Sequence, residues 1–383
     1  MNAYLDNSAT TKPARQVIEA MTAEMEEGYF NPSSLYRPAM EAEKRLSECR
    51  KIIAQSLHAK ASDVYFTGSG TEADNIAIMG HMSTVRKPSK ILYLAVEHPA
   101  VREACLACER MGHRAEVIPV DRRGVADLEA LESMLTEETA MICVMQVNNE
   151  TGAIQPIESI SALRDRICPN AALHVDGVQG YLRLAFDMAK LRVQSYALSG
   201  HKIHGPKGVG ALVLGNGARV NPIQFGGGQE RGLRSGTENT PGIAGLKAAV
   251  ENYPKDCFEK LMPLKKRLCE GIKSAIPDAC INGPRLDDMA CAPHILNLSM
   301  PPVRSDTMLF ALEGDGIYVS SGSACSSHQQ KVSTVLKAMG IPADRAQSAV
   351  RFSFSVYNTP EEIDYTVERI CAHYRLLSKY TRR

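Results

Sequence analysis

From about residue 60 to residue 250, short apolar runs alternate with amphipathic stretches. The runs are Val64-Tyr65-Phe66, Lys90-Ile91-Leu92-Tyr93-Leu94, Ala115-Glu116-Val117-Ile118, Met141-Ile142-Cys143-Val144-Met145, Leu173-His174-Val175, Ser195-Tyr196-Ala197-Leu198 and Gly210-Ala211-Leu212-Val213-Leu214. Between them, segments such as 99–111 and 128–135 carry apolar residues at helical spacing. This alternation predicts an α/β domain: a mainly parallel sheet covered by helices on both faces, with its chemistry at the carboxyl ends of the strands.

After Asn252-Tyr253-Pro254 the pattern changes. A helical stretch over 258–275 leads into strands near 294–300, 316–320 and 350–354, then a helix from residue 361. This predicts a second, smaller α+β domain. Residues 1–14 precede the first long helix (14–27) and have no domain pattern of their own. They are expected to join the small domain, which leaves 15–252 as the large domain and 1–14 plus 253–383 as the small one.

Composition narrows the classes. With 383 residues the chain exceeds the size at which one core stops growing. The 44 basic and 43 acidic residues leave a net charge of +1, so neither a nucleic-acid backbone nor an anionic membrane is the expected partner. No apolar run approaches the ~20 residues of a membrane-crossing helix, and residues 1–6 lack the basic and apolar regions of a secretory signal. Eleven cysteines at irregular spacing do not form a disulfide framework. Reduced thiols in a cytoplasm are expected. Cys105-Leu106-Ala107-Cys108 has no second pair to complete a metal site.

Four places can carry chemistry. Lys202 follows the run Ser195–Leu198 and sits in Ser199-Gly200-His201-Lys202-Ile203-His204-Gly205. A desolvated amine crowded by positive charge becomes a nucleophile toward an aldehyde, forming a Schiff base. Gly68-Ser69-Gly70-Thr71 follows a strand and opens a helix, as either a phosphate cup or a plain strand–helix turn. Asp176 ends the strand Leu173-His174-Val175, as a helix cap or as the partner of a pyridinium nitrogen. His98 precedes Pro99, as a turn residue or as a ring stacked on a cofactor.

Further motifs run in order along the chain: Asp6-Asn7-Ser8-Ala9-Thr10-Thr11, Asn31-Pro32-Ser33-Ser34, Gly70-Thr71-Glu72-Ala73-Asp74-Asn75, Glu97-His98, Asn148-Asn149-Glu150-Thr151-Gly152, Asp176-Gly177-Val178-Gln179, Ser199-Gly200-His201-Lys202, Gly226-Gly227-Gly228-Gln229-Glu230-Arg231-Gly232, Arg234-Ser235-Gly236-Thr237-Glu238-Asn239, Ser320-Ser321-Gly322-Ser323-Ala324-Cys325 and Arg351-Phe352-Ser353. In this order, from residue 4 to about 370, the chain resembles the cysteine desulfurases. These are pyridoxal-phosphate (PLP) enzymes of the aspartate-aminotransferase fold (fold type I). The Ser-Ser-Gly-Ser-Ala-Cys string is similar to the NifS/IscS-like branch that serves iron–sulfur assembly and tRNA thiolation.

The resemblance implies roles. Lys202 would hold pyridoxal 5′-phosphate, Asp176 would pair with its ring nitrogen, Gln179 and Asn149 would bond around the ring, and His98 would stack on it. Gly70, Thr71, Ser199 and His201 would take the phosphate, with Thr237 reaching over from a second subunit of a homodimer. Arg351, helped by Asn31, would clamp the carboxylate of L-cysteine. Cys325 would take the sulfur as a persulfide, leave L-alanine, and pass the sulfur to an iron–sulfur scaffold or a tRNA thiolation enzyme. No resident metal is implied, a passing iron–sulfur contact at Cys325 aside. An aminotransferase or lyase on the same fold would need no enzyme thiol, and an idle scaffold would need none of these side chains. The chain departs from the family's usual pattern at Tyr36 (commonly histidine), Lys331-Val332 (commonly an acid and a proline) and Phe354-Ser355-Val356 (commonly Leu-Gly-Arg).

Overall fold

The computed structural model describes residues 1–321 and 333–380. Twelve strands occur among them: β1 (Ala3–Tyr4), β2 (Val64–Thr67), β3 (Lys90–Leu94), β4 (Arg114–Ile118), β5 (Thr139–Met145), β6 (Ala172–Asp176), β7 (Ser195–Ser199), β8 (Gly210–Leu214), β9 (Cys280–Ile281), β10 (Ile295–Ser299), β11 (Ile317–Tyr318) and β12 (Ala349–Ser353). Seven form one sheet in the order β2-β8-β7-β6-β5-β3-β4. All its neighbours are parallel except β8, which runs antiparallel to both β2 and β7. Strands β6 and β7 are buried at every position, which is why both read as nearly continuous apolar runs.

Helices cover the sheet. Gly70–Met82 packs on β7 and β8, and Pro99–Ala107 packs on Gly70–Met82 and β3. On the other face the core runs from Val17, Leu46 and Ile53 through Leu92, Ile142, Leu173, Tyr196 and Val213 to Leu246.

A second core gathers Ala3, Leu5, Leu261, Leu268, Leu296, Leu298, Leu312, Ile317, Phe352 and Ile370. Its framework is the antiparallel sheet β12-β10-β9 and the parallel pair β1–β11. The chain's first residues therefore lie against residues more than 300 positions away, with Asp6 bridging to Ser353. The helices Thr334–Ala338 and Ala343–Gln347 differ from the rest of the C-terminal region. Val335, Leu336, Met339 and Ala346 join the core of the large sheet. Among the described residues, no helix is long and apolar enough to cross a membrane.

Candidate active site

Strands β5, β6 and β7 are parallel neighbours, so their carboxyl ends share one edge. The chain after each contributes to a single cavity of about 340 Å³ there. From β5 come Met145, Val147 and Asn149; from β6, Asp176, Val178 and Gln179; from β7, Ser199, His201 and Lys202. Ser69, Gly70, Thr71 and Asp74 enter from the start of helix Gly70–Met82, and His98 from the turn after β3. Ser8 and Ala9, together with Arg351 on β12, complete the wall from the second core. Ten of the sequence candidates thus meet in one cavity: Gly70, Thr71, His98, Asn149, Asp176, Gln179, Ser199, His201, Lys202 and Arg351.

Local structure explains the placements. Ser69 caps its helix by accepting Glu72 N–H on Oγ at 3.1 Å. Gly70 stands where a Cβ would lie 2.6 Å from Val178 Cγ2, so a side chain there would push into the cavity wall. His98 occupies the turn position, Asp176 is followed by a turn and not by the helix its cap reading called for, and both line the cavity. His98 caps helix Pro99–Ala107, Nδ1 accepting Ala100 N–H at 3.1 Å, and its ring still lines the cavity. Asp176 Oδ1 accepts Val178 N–H at 2.9 Å, and the carboxylate faces the same space. Lys202 Nζ donates to the carbonyl oxygens of Ser8 at 2.5 Å and Ala9 at 2.7 Å. Arg351 donates to Asp6 Oδ1 at 2.8 Å and to Asn149 O at 3.1 Å, and its buried Nε has no partner among the described residues.

Burial sets the electrostatics. It lifts the Asp176 carboxyl above its ordinary range, while His98 and Lys202 pull the other way. It also lowers His98, with Asp176 opposing and Lys202 assisting. His201 falls to about 4 through burial, with Lys202 and Lys207 adding to it, so at neutral pH its ring is an uncharged donor or acceptor.

Several residues of the site were not singled out in the sequence. His174 on β6 is fully buried, with Nε2 on Asp74 Oδ1 at 3.1 Å and Nδ1 on Ser195 Oγ at 2.9 Å. Glu97 is buried, its Oε1 accepting Met145 N–H at 2.6 Å. Glu150 meets Ser333, and Asp6 meets Arg351. His174 could have been marked as a histidine in the middle of the apolar run Leu173-His174-Val175, and Asp6, Asp74, Glu97 and Glu150 stand in the ordered motifs without a role of their own. The partners of the others lie between 48 and 345 residues away.

Two candidates do not line the cavity. Asn31 is exposed, its Oδ1 accepting Ser33 N–H at 2.9 Å, and Thr237 is exposed in the loop before Asn239. Cys325 lies outside the described residues, as do Lys331 and Val332. Of the departures from the family pattern, Tyr36 is exposed, its ring packed edge-on against Phe30 at 6.1 Å. Ser355 is buried and bonded to His204 Nε2 at 3.1 Å.

The donor set suits an aromatic aldehyde carrying a phosphate. It offers an amine for the aldehyde, a buried carboxylate for a cationic ring nitrogen, and a helix N-terminus with hydroxyls for the phosphate. Three cavity-lining polar atoms, Gln179 Oε1, Ser8 Oγ and Arg351 Nε, are buried without a partner among the described residues. Such atoms are expected where a polar ligand belongs.

This sheet and site define an α/β enzyme of the fold-type-I PLP class, and residues 3–366 match the family model Aminotransferase class-V. A cysteine desulfurase IscS from Clostridium botulinum (strain Hall) is 37% identical over 370 residues, 95% of this chain and 92% of that protein. A cysteine desulfurase from Trichormus azollae is 38% identical over 95% of this chain and 91% of its own length. Among solved structures, a "NifS-like protein" superposes with a TM-score of 0.92 at 35% identity, covering 98% of this chain and all of that one. One described as "SspA in complex with cysteine" gives 0.81 at 28% identity, covering 94% of this chain and all of that one. The chain belongs to the class-V aminotransferase family, as one of its PLP-dependent cysteine desulfurases.

Proposed function

We propose that Cys325 takes the sulfur of L-cysteine, with Lys202, Asp176, His98 and Arg351 as the groups that make the transfer possible. The balance is L-cysteine plus the Cys325 thiol giving L-alanine plus a Cys325 persulfide. Lys202 would hold the cofactor aldehyde, Asp176 the ring nitrogen, Gln179 and Asn149 the ring substituents, and His98 one face. Gly70, Thr71, Ser199 and His201 would hold the phosphate. When bound, pyridoxal phosphate supplies the electron sink that makes an amino acid's Cα acidic and its Cβ–S bond breakable.

The chain's own residues do the rest. The Lys202 amine moves the Cα proton, because it is the basic nitrogen beside Asp176 and His98 in the cavity. Arg351 holds the substrate carboxylate as a fork, its unpartnered Nε supplying one prong. The Cys325 thiolate attacks the substrate sulfur, and the persulfide leaves with the enzyme. The observation that carries this reading is the meeting of Lys202, Asp176, His98 and Arg351 in one cavity.

A homodimer and a cytoplasmic location complete the proposal. Tyr29, Leu35, Tyr36, Met40 and Phe225 are exposed. They lie in the same two stretches as Asn31 and Thr237, the candidates that a single chain leaves outside its cavity. Large apolar side chains left exposed on both stretches would be covered by a partner copy. The ten cysteines of the described residues are free thiols, which supports a reducing compartment. The acceptor would be an iron–sulfur scaffold or a tRNA thiolation enzyme, a reading supported by the IscS names of the relatives.

The test uses Cys325→Ser. The variant should keep the yellow colour of the loaded protein, and ³⁵S from labelled cysteine should no longer attach to the chain. Alanine formation at the wild-type rate by this variant would move the activity to a lyase that needs no enzyme thiol. Sedimentation equilibrium tests the dimer, and an active monomer stable to dilution removes it.

A further inference from the structure

Arg183 does not line the cavity, yet it is bonded to two residues that do. It lies in the turn after β6 and is 4% exposed. One guanidinium nitrogen donates to the Gln179 carbonyl at 3.3 Å, a second donates to the Lys202 carbonyl, and the Tyr253 hydroxyl meets the same group. Among the described residues no carboxylate pairs with it, and its buried Nε has no partner. A cation is a costly group to bury where a neutral side chain of similar size would pack as well. Here its donors go to the backbone of the site.

These contacts belong to a closed circuit. Lys202 Nζ donates to Ser8 O at 2.5 Å, Gln179 Nε2 donates to the same oxygen at 2.9 Å, and Arg183 joins the backbone carbonyls of Lys202 and Gln179. Both turns in the circuit hold a strained residue. Leu182, just before Arg183, has a φ of 60°, and His204, two beyond Lys202, has a φ of 62°. Left-handed backbone at such side chains persists only where the surrounding bonds over-determine it. Thr11 holds part of the second turn, its N–H and its hydroxyl both on His201 O at 2.9 and 2.8 Å. Arg183 holds Lys202 itself.

We propose that Arg183 is a positioning residue for proton transfer: its guanidinium fork fixes the backbone of Lys202 against that of Gln179, so that the amine stays aligned with the Cα proton it moves. This rests on the reading that Lys202 carries that proton. An amine that has taken a cofactor aldehyde loses N–H donors, so its bonds to the Ser8 and Ala9 carbonyls weaken when cofactor binds. The Arg183 bond is made to the backbone and does not depend on the state of the amine. Without it the long lysine side chain starts from a looser base. Proton transfer then slows because the reacting atoms spend less time in line, while the groups that bind substrate and cofactor are untouched.

Exchange of the Cα hydrogen of L-alanine for deuterium in D2O, followed by proton NMR, isolates this step, because it needs Lys202 and no enzyme thiol. Arg183→Met keeps an unbranched stem without the donors, and Arg183→Lys keeps the charge without the fork. Exchange should fall roughly ten- to a hundredfold in Arg183→Met and about three- to tenfold in Arg183→Lys. The apparent affinity for alanine and the amount of cofactor fixed by borohydride should stay at wild-type values. Amide exchange over residues 200–205, where Ile203 and Gly205 N–H both donate to Gly200 O, should quicken in both variants with or without cofactor, which reads the contact independently of turnover. Wild-type Cα exchange in either folded variant overturns the inference, as do unchanged amide rates. A loss of alanine affinity or of bound cofactor as large as the loss of rate also overturns it, because Arg183 would then only maintain the fold. Arg183→Lys decides alone if the methionine variant does not fold. Lys202→Ala run alongside separates the two claims: Cα exchange at full rate there removes the underlying reading, whatever the Arg183 variants show.

Discussion

Lys202 Nζ lies 2.5 Å from the carbonyl oxygen of Ser8, across 194 residues of sequence. The lysine belongs to the chain leaving β7 of the large sheet, whereas the backbone leading into Ser8 is anchored to the second core, with Asn7 N–H and Ser8 N–H both on Ser353. The amine thus sits where the two cores meet. Its two carbonyl acceptors hold it at the cavity edge while leaving it in the cavity lining.

Lys202→Ala is expected to lower alanine production by about a thousandfold or more, the scale lost with a combined nucleophile and proton carrier. Borohydride treatment followed by mass spectrometry should find no cofactor fixed to the chain. A reducible link that persisted would transfer the role to another lysine, with Lys207 the nearest in sequence.

Arg351→Ala should weaken L-cysteine by roughly 2–4 kcal/mol in kcat/KM, the usual loss for a desolvated charge pair. Part of this comes from Asp6, whose carboxylate loses its 2.8 Å partner. Asp6→Asn therefore serves as the control, because it removes that charge and leaves the guanidinium in place. Turnover of L-cysteine, L-selenocysteine and L-cystine in all three proteins gives the answer. Wild-type behaviour in Arg351→Ala would end the clamp assignment, and turnover of selenocysteine alone would end the substrate assignment.

Gly70→Ala should loosen the cofactor about tenfold, the scale of an overpacked contact. The added methyl would lie 2.6 Å from Val178 Cγ2. The double variant Gly70→Ala, Val178→Ala makes room for it and should recover most of the affinity, read by equilibrium dialysis. No recovery would show that the loss arises from the backbone of the turn and not from crowding.

The buried pair Asp74–His174 should shape acid stability in a characteristic way. Burial pushes His174 down to about 3 from 6.5 and lifts Asp74 well above 3.8, with Asp176 and Glu97 adding to the latter. Taken alone, His174 contributes stability that is present above pH 6.5 and lost as pH falls toward 3. Asp74 alone does the reverse, with stability present below pH 3.8 and lost as pH rises. Above pH 3.8, for as long as the folded Asp74 carboxyl keeps its proton and the unfolded histidine keeps its own, the folded and unfolded pairs each bind one proton and the slopes cancel. Asp74→Asn exposes the histidine term, and the variant should lose stability relative to wild type by about 1.4 kcal/mol per pH unit on acidification through that window. Urea unfolding at several pH values measures it, and parallel curves for the two proteins would contradict the pairing.

The periodicity of the chain was sufficient for the α/β architecture and for placing Asp176, Lys202 and His98 at one edge, because parallel strands joined by helices all end on the same side. Local chemistry was also legible at Ser69-Gly70-Thr71, where a cap, a glycine and a hydroxyl follow a strand. The family motifs marked Arg351, although nothing in the run around it shows that β12 delivers it to the same cavity. Contacts that close the site depend on residues far apart in sequence: Lys202 with Ser8, Arg351 with Asp6, His174 with Asp74, Glu150 with Ser333. The last two pairs are buried and the first two half-buried, so that the cost of leaving a partner unmet selects the geometry. That cost exists only after the two cores have packed. The sequence therefore determined which elements form and which side chains they carry to the edge of the sheet. The packing of the second core against that edge decided which of those side chains are paired, which are left for a ligand, and how deeply each is buried.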